Sequence, residues 1–485
     1  MKCKLLSIFL LIIFFSSCSV SKQIAKSAKE NVLRDDALQT AHVGISIYEP
    51  ATGKYWFNYQ GDKYFVPASN TKLPTCYAAM KYLGDSLVGL RYGMPDKIFK
   101  SLMVIQPTGD PTFLHEDFLR QPAFDFLKQK ITIQGYTAAI MDTIWKDKRW
   151  GSGWSWNDYE ESYMAERSSF PIFGNTITIS LNRVKDRNVS DSDFLNRKSV
   201  RLFRTSVDYF DSVFNSSRLI QTVPRKVFTD SILRINFSRD ISRNALDVEF
   251  GHRPFSKRTI PFVTNESFTA REVLKNILNK GFDFAYPAFE KNRYYYQCEE
   301  CELVSFQINN WNIIHSQPTD SLLKPMMHRS DNFFAEQSLL MVSNELLGVM
   351  NDAKIIDTLL KTDFKDLPQR PRWVDGSGLS RYNLFTPQDF VFILKKMKTD
   401  FGMDRVKNIL PTGNEGTLEG RFVKDSNYIF AKTGTLSGVV SLSGFLYTKK
   451  NKLLIFSVLV NNHNASAGEI RRAVERFVEG IRERY

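Results

Sequence analysis

The chain has 485 residues, a formal net charge of +13 and a sequence pI near 9.3, with 43% hydrophobic and 24% charged residues. That balance excludes a disordered chain and a multi-span membrane protein, and the length is enough for about two or three domains around a large buried core. The basic excess suits an anionic polymer or surface, but no basic run, zinc pattern or RNA-binding aromatic signature is present, so no nucleic-acid partner is expected.

Lys2 and Lys4 precede the apolar run LLSIFLLIIFF at 5–15, which is followed by Ser16, Ser17 and Cys18. A bilayer span takes roughly 20 apolar residues. This run is shorter and has the form of a signal peptide over residues 1–17. A cysteine directly after two small residues resembles the bacterial lipoprotein signal, although Phe15 stands where that family usually has leucine. The resemblance implies acylation of Cys18, cleavage before it and a lipid anchor in the membrane. Plain secretion, with Cys18 incidental, is the alternative. Residues 18–38 are polar and read as a tether.

Strand-like runs at 43–49 and 55–60 flank the turn PATGK. The stretch PASNTK (67–72) then leads into a helix that stops at Gly84. From 96 to 289 the texture changes to short strand-like runs, aromatic clusters and turns, such as GSGWSWND (151–158), ITISLNRV (177–184) and the run at 199–214. We read this as a β-rich insertion with a smaller unit nested inside it. Cys76 lies in an apolar stretch and reads as a buried thiol. Cys298 and Cys301 form a single CxxC with no second pair to complete a zinc site. No metal or other cofactor is expected, and the pair reads as a local disulfide or an inert reduced pair.

Helical periodicity resumes at 332–348. A second helix opens with a capping pattern, Thr386 three residues before Asp389, with Pro387 at the first helical position. Strand-like runs at 438–448 and 452–462 follow, and a last helix covers 467–485. This order predicts an α+β unit built from 39–95 and 290–485, its sheet assembled from both chain ends and covered by helices.

The chemistry begins at Ser69 and Lys72. Residues three apart share a helix face, so the lysine amine can sit over the serine hydroxyl. A hydroxyl is a poor nucleophile until a base takes its proton, and a lysine is a base only when burial or a neighbouring cation holds it uncharged. Pro74 falls early enough in the helix for its missing N–H to do little harm. The spacing alone is weak, because Ser19–Lys22 and Ser321–Lys324 repeat it. Two further parts single out one copy. Ser330, Asp331 and Asn332 place a hydroxyl and an amide at a helix start. Lys432, Thr433, Gly434 and Thr435 place a cation and two hydroxyls on a strand edge. SxN also occurs at Ser155–Asn157, Ser180–Asn182 and Ser242–Asn244, where turn chemistry explains it. Order discriminates: SxxK, SxN and KTG follow one another, each on the predicted element its role requires.

This trio resembles the signature of β-lactamases and penicillin-binding proteins. With PASNTK, VDGSGLSRYN (374–383), LPTGNEGTLEGR (410–421) and AKTGTLSG (431–438), the chain resembles the D-alanyl-D-alanine carboxypeptidase/endopeptidase family, the class C low-molecular-mass penicillin-binding proteins, over roughly residues 40–475. TGDPTF (108–113) and GSGWSWND resemble that family's insertion domain, with Pro107 and Thr108 in place of its usual glycines. Ser69 and Ser330 lie 261 residues apart, which suits the peptidase and not a compact β-lactamase.

The resemblance implies a penicillin-binding/β-lactamase-like transpeptidase fold and acyl transfer on peptidoglycan stem peptides. Ser69 is then the nucleophile, Lys72 its base and Ser330 the proton relay, supported by Lys432. Asn332 holds the peptide amide, Lys432, Thr433 and Thr435 engage the terminal carboxylate, and the backbone N–H groups of Ser69 and Thr435 form the oxyanion hole. β-Lactams are implied as covalent inhibitors. The loop at 375–380 is expected as a cleft wall, with Ser377 near the substrate. A catalytically weak wall receptor with the same fold is the alternative.

Overall fold

The structure, a computed structural model, describes residues 20–95, 101–181, 203–205, 221–223, 236–242, 244–249, 257–279, 282–287, 293–297 and 304–485. Strands β1 (His42–Glu49), β2 (Lys54–Tyr59), β3 (Ile429–Leu436), β4 (Val439–Tyr447) and β5 (Leu453–Asn461) form one antiparallel sheet in the order β3-β4-β5-β1-β2. Both chain ends therefore build it, as the order of strand-like runs predicts. Helices α1 (Lys72–Tyr82), α2 (Thr319–His328), α3 (Asn332–Leu347), α4 (Pro387–Phe401) and α5 (Ala467–Arg484) cover it.

The sheet is buried on both faces, and the period of two along β5 shows how. Leu454, Phe456, Val458 and Val460 enter the cluster that holds Ile470, Val474, Phe477 and Ile481 of α5. Ile455 and Leu459 enter the other, with Leu73 and Tyr77 of α1, Phe334 and Leu339 of α3, and Phe390 and Leu394 of α4. The expected cap of α4 forms in full: Asp389 N–H donates to Thr386 Oγ1 (3.1 Å) and Thr386 N–H to Asp389 Oδ2 (2.9 Å), with Pro387 as first helical residue. Gly348, at φ 67°, ends α3 in the left-handed conformation glycine adopts at little cost.

Residues 20–38 are not a free tether. Residues 20–28 are helical, and Ile24, Ala28 and Val32 are buried in the α5 cluster. Spacing of four puts those three on one stripe of an otherwise polar segment, and composition averages that stripe away. The chain from Val20 is thus docked on the sheet's outer helix. Cys18, and the pair Cys298 and Cys301, lie outside the described residues. Cys76 is a buried free thiol whose ionisation burial opposes.

The inserted material is wider than 96–289. Its main sheet has seven strands, in the order Val304–Gln307, Arg293–Gln297, Phe282–Pro287, Thr137–Ile140, Leu102–Pro107, Ser86–Gly93 and Asn312–Pro318. The first strand along the chain begins just after Gly84 and pairs with Asn312–Pro318, so the unit opens and closes on that pair. The expected bounds, 96 and 289, both fall within the span of this sheet. Two three-stranded sheets also occur within it: Thr176–Leu181 with Phe203–Thr205 and Lys257–Pro261, and Gln221–Val223 with Asn236–Arg239 and Ala245–Glu249.

Candidate active site

The turn that carries Ser69 is fastened to the sheet by side chains on three residues of it. Asn461 accepts from Val66 N–H (2.7 Å) and donates to Val66 O (3.0 Å). Ser441 Oγ donates to Pro67 O (2.7 Å), and Asn70 Nδ2 donates to Ser443 Oγ (2.7 Å). Between these anchors Ala68–Thr71 makes a 3-10 turn that feeds α1 directly. Ala68 sits at φ 48°, a strained angle for alanine, and Thr71 Oγ1 donates to its carbonyl (2.9 Å). Gly378 closes the turn from the other side, at φ 84°, where a β-carbon would stand 1.9 Å from Ala68 O. Ser69 is left half-buried between buried neighbours. In a 3-10 turn residues three apart eclipse, which aligns Ser69 with Lys72 better than a regular helix does. Pro74 is the third residue of α1, where its missing N–H is among the donors a helix leaves free.

Lys72 is fully buried, and three oxygens surround its amine: Ser69 Oγ at 3.0 Å, Asn332 Oδ1 at 2.6 Å and Ser377 O at 2.8 Å. The last two can only accept. A neutral amine with its two N–H groups donated to them is left with its lone pair toward the Ser69 hydroxyl, as a general base requires. Desolvation lowers the Lys72 pKa to about 8, against the opposing pull of Asp375, Asp331 and Glu336. The acylation rate of Ser69 should therefore climb as pH rises through about 8, where Lys72 sheds its proton, and level off above. The second-order rate of modification by benzylpenicillin between pH 6 and 10 (roughly, either side of a lysine held at this value) measures it. A flat or falling profile contradicts the assignment.

The second amine, Lys432, is also fully buried and donates to Ser330 Oγ (2.9 Å) and Thr433 O (2.7 Å). Desolvation first, then the neighbouring Lys72, hold it well below an ordinary lysine. The sequence places a cation here to meet a carboxylate. Burial disfavours the charge there, and the Lys432 amine donates to Ser330 Oγ, which orients that hydroxyl. Asp331 caps α3 through Phe334 N–H (2.9 Å), which makes Asn332 the first helical residue. Ser330, just before, holds φ at 60°, a strained angle that this cap and the Lys432 bond support. Asn332 Nδ2 gives one N–H to Tyr163 O (3.0 Å) of the insertion and has a second to offer.

β3 is an edge strand. Ala431 N–H points outward, to Pro411 O (3.0 Å), and N–H directions alternate along a strand. The register to β4 is unbroken, so Thr433 and Thr435 present their N–H groups to the same outer edge. There the strand meets the Ser69 turn: a β-carbon on Gly434 would lie 2.9 Å from Ser69 N and 2.8 Å from Pro67 O. Glycine is what permits the approach. Thr433 is buried, and Thr435 is exposed.

The copies of these patterns within the described residues have ordinary explanations, while Ser19 and Asn182 lie outside them. Ser321 and Lys324 are exposed on α2. Ser155 donates to Asn157 Oδ1, while Ser242 and Asn244 bond Asp240 and Val263. Ser377 meets the site through its backbone. It is fully buried, and its contribution is a carbonyl on Lys72, with its N–H held by Glu336 Oε1 (2.7 Å). Asp375 organises that loop, accepting from Gly378 N–H (2.8 Å), Ser380 N–H (2.6 Å), Asn383 Nδ2 (2.7 Å) and Trp154 Nε1 (3.0 Å). Sequence reasoning misses Glu336, although it lies four residues after Asn332 on the same helix face. Among the described residues no cluster of metal-binding side chains occurs, and no helix is long and apolar enough to cross a membrane.

A half-buried serine with a buried lysine amine over it, a second serine–lysine pair and an open strand edge lie together on an α+β fold. The model of the D-Ala-D-Ala carboxypeptidase 3 (S13) family matches residues 25–204 and 312–480, and the chain belongs to that family. It is 22% identical over 480 residues to penicillin-sensitive carboxypeptidase A of Dictyostelium discoideum, covering 90% of this chain and 86% of that one. It is 24% identical over 471 residues to D-alanyl-D-alanine carboxypeptidase of an Actinomadura species, covering 90% and 80%. The crystal structure of penicillin binding protein 4 from Haemophilus influenzae superposes with a TM-score of 0.68 at 18% identity, covering 94% of this chain and 98% of that one, and shows the shared fold.

Proposed function

We propose that the protein is a serine-type D-alanyl-D-alanine carboxypeptidase that trims peptidoglycan stem peptides through an ester on Ser69, with cross-linked D-alanyl bonds as a second substrate. The observation that carries this is the Lys72 amine, buried and within hydrogen-bond reach of Ser69, Asn332 and Ser377 at once. Lys72 takes the hydroxyl proton as Ser69 Oγ attacks the carbonyl carbon of the penultimate D-alanine. The N–H groups of Ser69 and Thr435 hold the oxyanion, a contribution of about 3 kcal/mol for each donor in comparable sites. The peptide bond breaks, Ser330 delivers the proton to the leaving amine, and Lys432 orients that hydroxyl. Asn332 holds the peptide amide, while Thr433 and Thr435 receive the terminal carboxylate in front of Lys432. Water then releases the acyl group and restores Ser69. A β-lactam that imitates the D-alanyl-D-alanine end esterifies the same oxygen and remains there.

Localisation follows from the leader. Residues 1–17 are a lipoprotein signal and Cys18 is the lipid-bearing residue, so the enzyme is anchored in a membrane and faces the cell envelope. The docked helix from Val20 then leaves a very short connection between lipid and catalytic unit.

Incubation with purified wall fragments tests the function. The intact protein should release D-alanine and Ser69→Ala should release none. Little release from a folded protein with Ser69 intact favours the wall-receptor reading instead.

A further inference from the structure

A terminal carboxylate bound at the edge of β3 needs a cation, and Lys432 is fully buried, with its amine on Ser330 and Thr433. Another cation stands at the open end of the same edge. Arg471, in the first turns of α5, donates from its Nη2 to Thr435 Oγ1 at 2.8 Å. Thr435 is exposed and directly follows Gly434, whose backbone abuts Ser69.

The helix does not neutralise Arg471 from its own surface. Glu475, four residues on and so the natural partner, faces Arg421 (3.5 Å) and accepts from Phe422 N–H (2.9 Å). Glu469 is turned back onto Ser466 as its capping partner. Guanidinium presents five donors in a planar fork, so the bond to Thr435 leaves others for a carboxylate.

We propose that Arg471 is the cation that recognises the substrate's terminal carboxylate, acting beside the Thr435 hydroxyl. This rests on the reading of Ser69 as nucleophile. It makes Arg471 a binding residue that sets which acyl donors are accepted, with no part in proton transfer.

The test compares an N-acylated tripeptide ending in D-alanyl-D-alanine with the same peptide carrying a C-terminal amide. The intact protein should prefer the free acid in kcat/KM. Arg471→Ala should lose between about ten- and a hundredfold on the acid, as for removal of a charged hydrogen bond, mostly in KM, and little on the amide. Arg471→Gln, which keeps a donor for Thr435 without the charge, should behave the same way, and Arg471→Lys should regain part of the preference. Retention of the acid preference in Arg471→Ala or Arg471→Gln overturns the proposal, and so does an equal loss on both peptides. Turnover of the acid by Ser69→Ala would overturn the underlying reading instead, and the two failures are therefore distinguishable.

Discussion

Lys72→Gln should slow the acylation of Ser69 by about 10²- to 10⁴-fold, the usual range for loss of a positioned general base. Glutamine is close to lysine in length and can still donate from its amide toward Asn332 Oδ1 and Ser377 O. What it lacks is a basic lone pair. The site is built around that lone pair: two oxygens that can only accept surround the amine, so its free valence falls on the Ser69 hydroxyl. Burial lowers the Lys72 pKa to about 8 and so brings the uncharged form within reach near neutral pH. Time-resolved labelling with a fluorescent penicillin gives the rate directly, and the variant should still melt cooperatively because no charge is left without a partner. A variant that acylates as fast as the intact protein would remove Lys72 from the base's role.

Arg167→Leu should cost about 3–5 kcal/mol of stability, the range found when one partner of a buried ion pair is removed. The Arg167 side chain is 1% exposed and sits among three carboxylates: Asp147 at 2.8 Å, Asp352 at 2.6 Å and Glu336 at 3.4 Å. It also donates to the carbonyls of Lys148 and Trp150. Leucine fills much of the volume and leaves those acids facing one another without a counter-charge. Asp147 and Arg167 belong to the inserted segment, and Glu336 and Asp352 to the helices around the catalytic site, so the cluster joins the two. Glu336 in turn accepts from Ser377 N–H, and the Ser377 carbonyl accepts from the Lys72 amine. Thermal melting should show a large drop in Tm together with slower acylation at temperatures where the variant is folded. An unchanged Tm would mean the acids are protonated or solvated, contrary to the geometry.

Much of the site was legible because each motif sits at an element boundary with its own chemical cue. Asp331 caps α3, the Thr386–Asp389 box opens α4, and Gly434 lets β3 approach the serine turn. These cues are local, and local rules decided them. Backbone groups carry no such cue. The Ser377 carbonyl on Lys72 looks in sequence like any other carbonyl, so the eye goes to the Ser377 hydroxyl, which is buried. The burial of Lys432 is equally hidden, because a lysine reads as an exposed cation in sequence. The stripe Ile24, Ala28, Val32 is readable but masked by polar surroundings, and the i, i+4 pair Asn332 and Glu336 is masked by the apolar run between them. Arg167 could not be placed at all, since its three acids are up to 185 residues away along the chain.

The central claim is that one oxygen, Ser69 Oγ, carries the acyl group. Benzylpenicillin treatment followed by mass measurement of the whole protein and its proteolytic peptides tests this most directly. The account predicts a single added penicillin, on the peptide that contains Ser69. No adduct on the folded protein, or an adduct on any other residue, would contradict it.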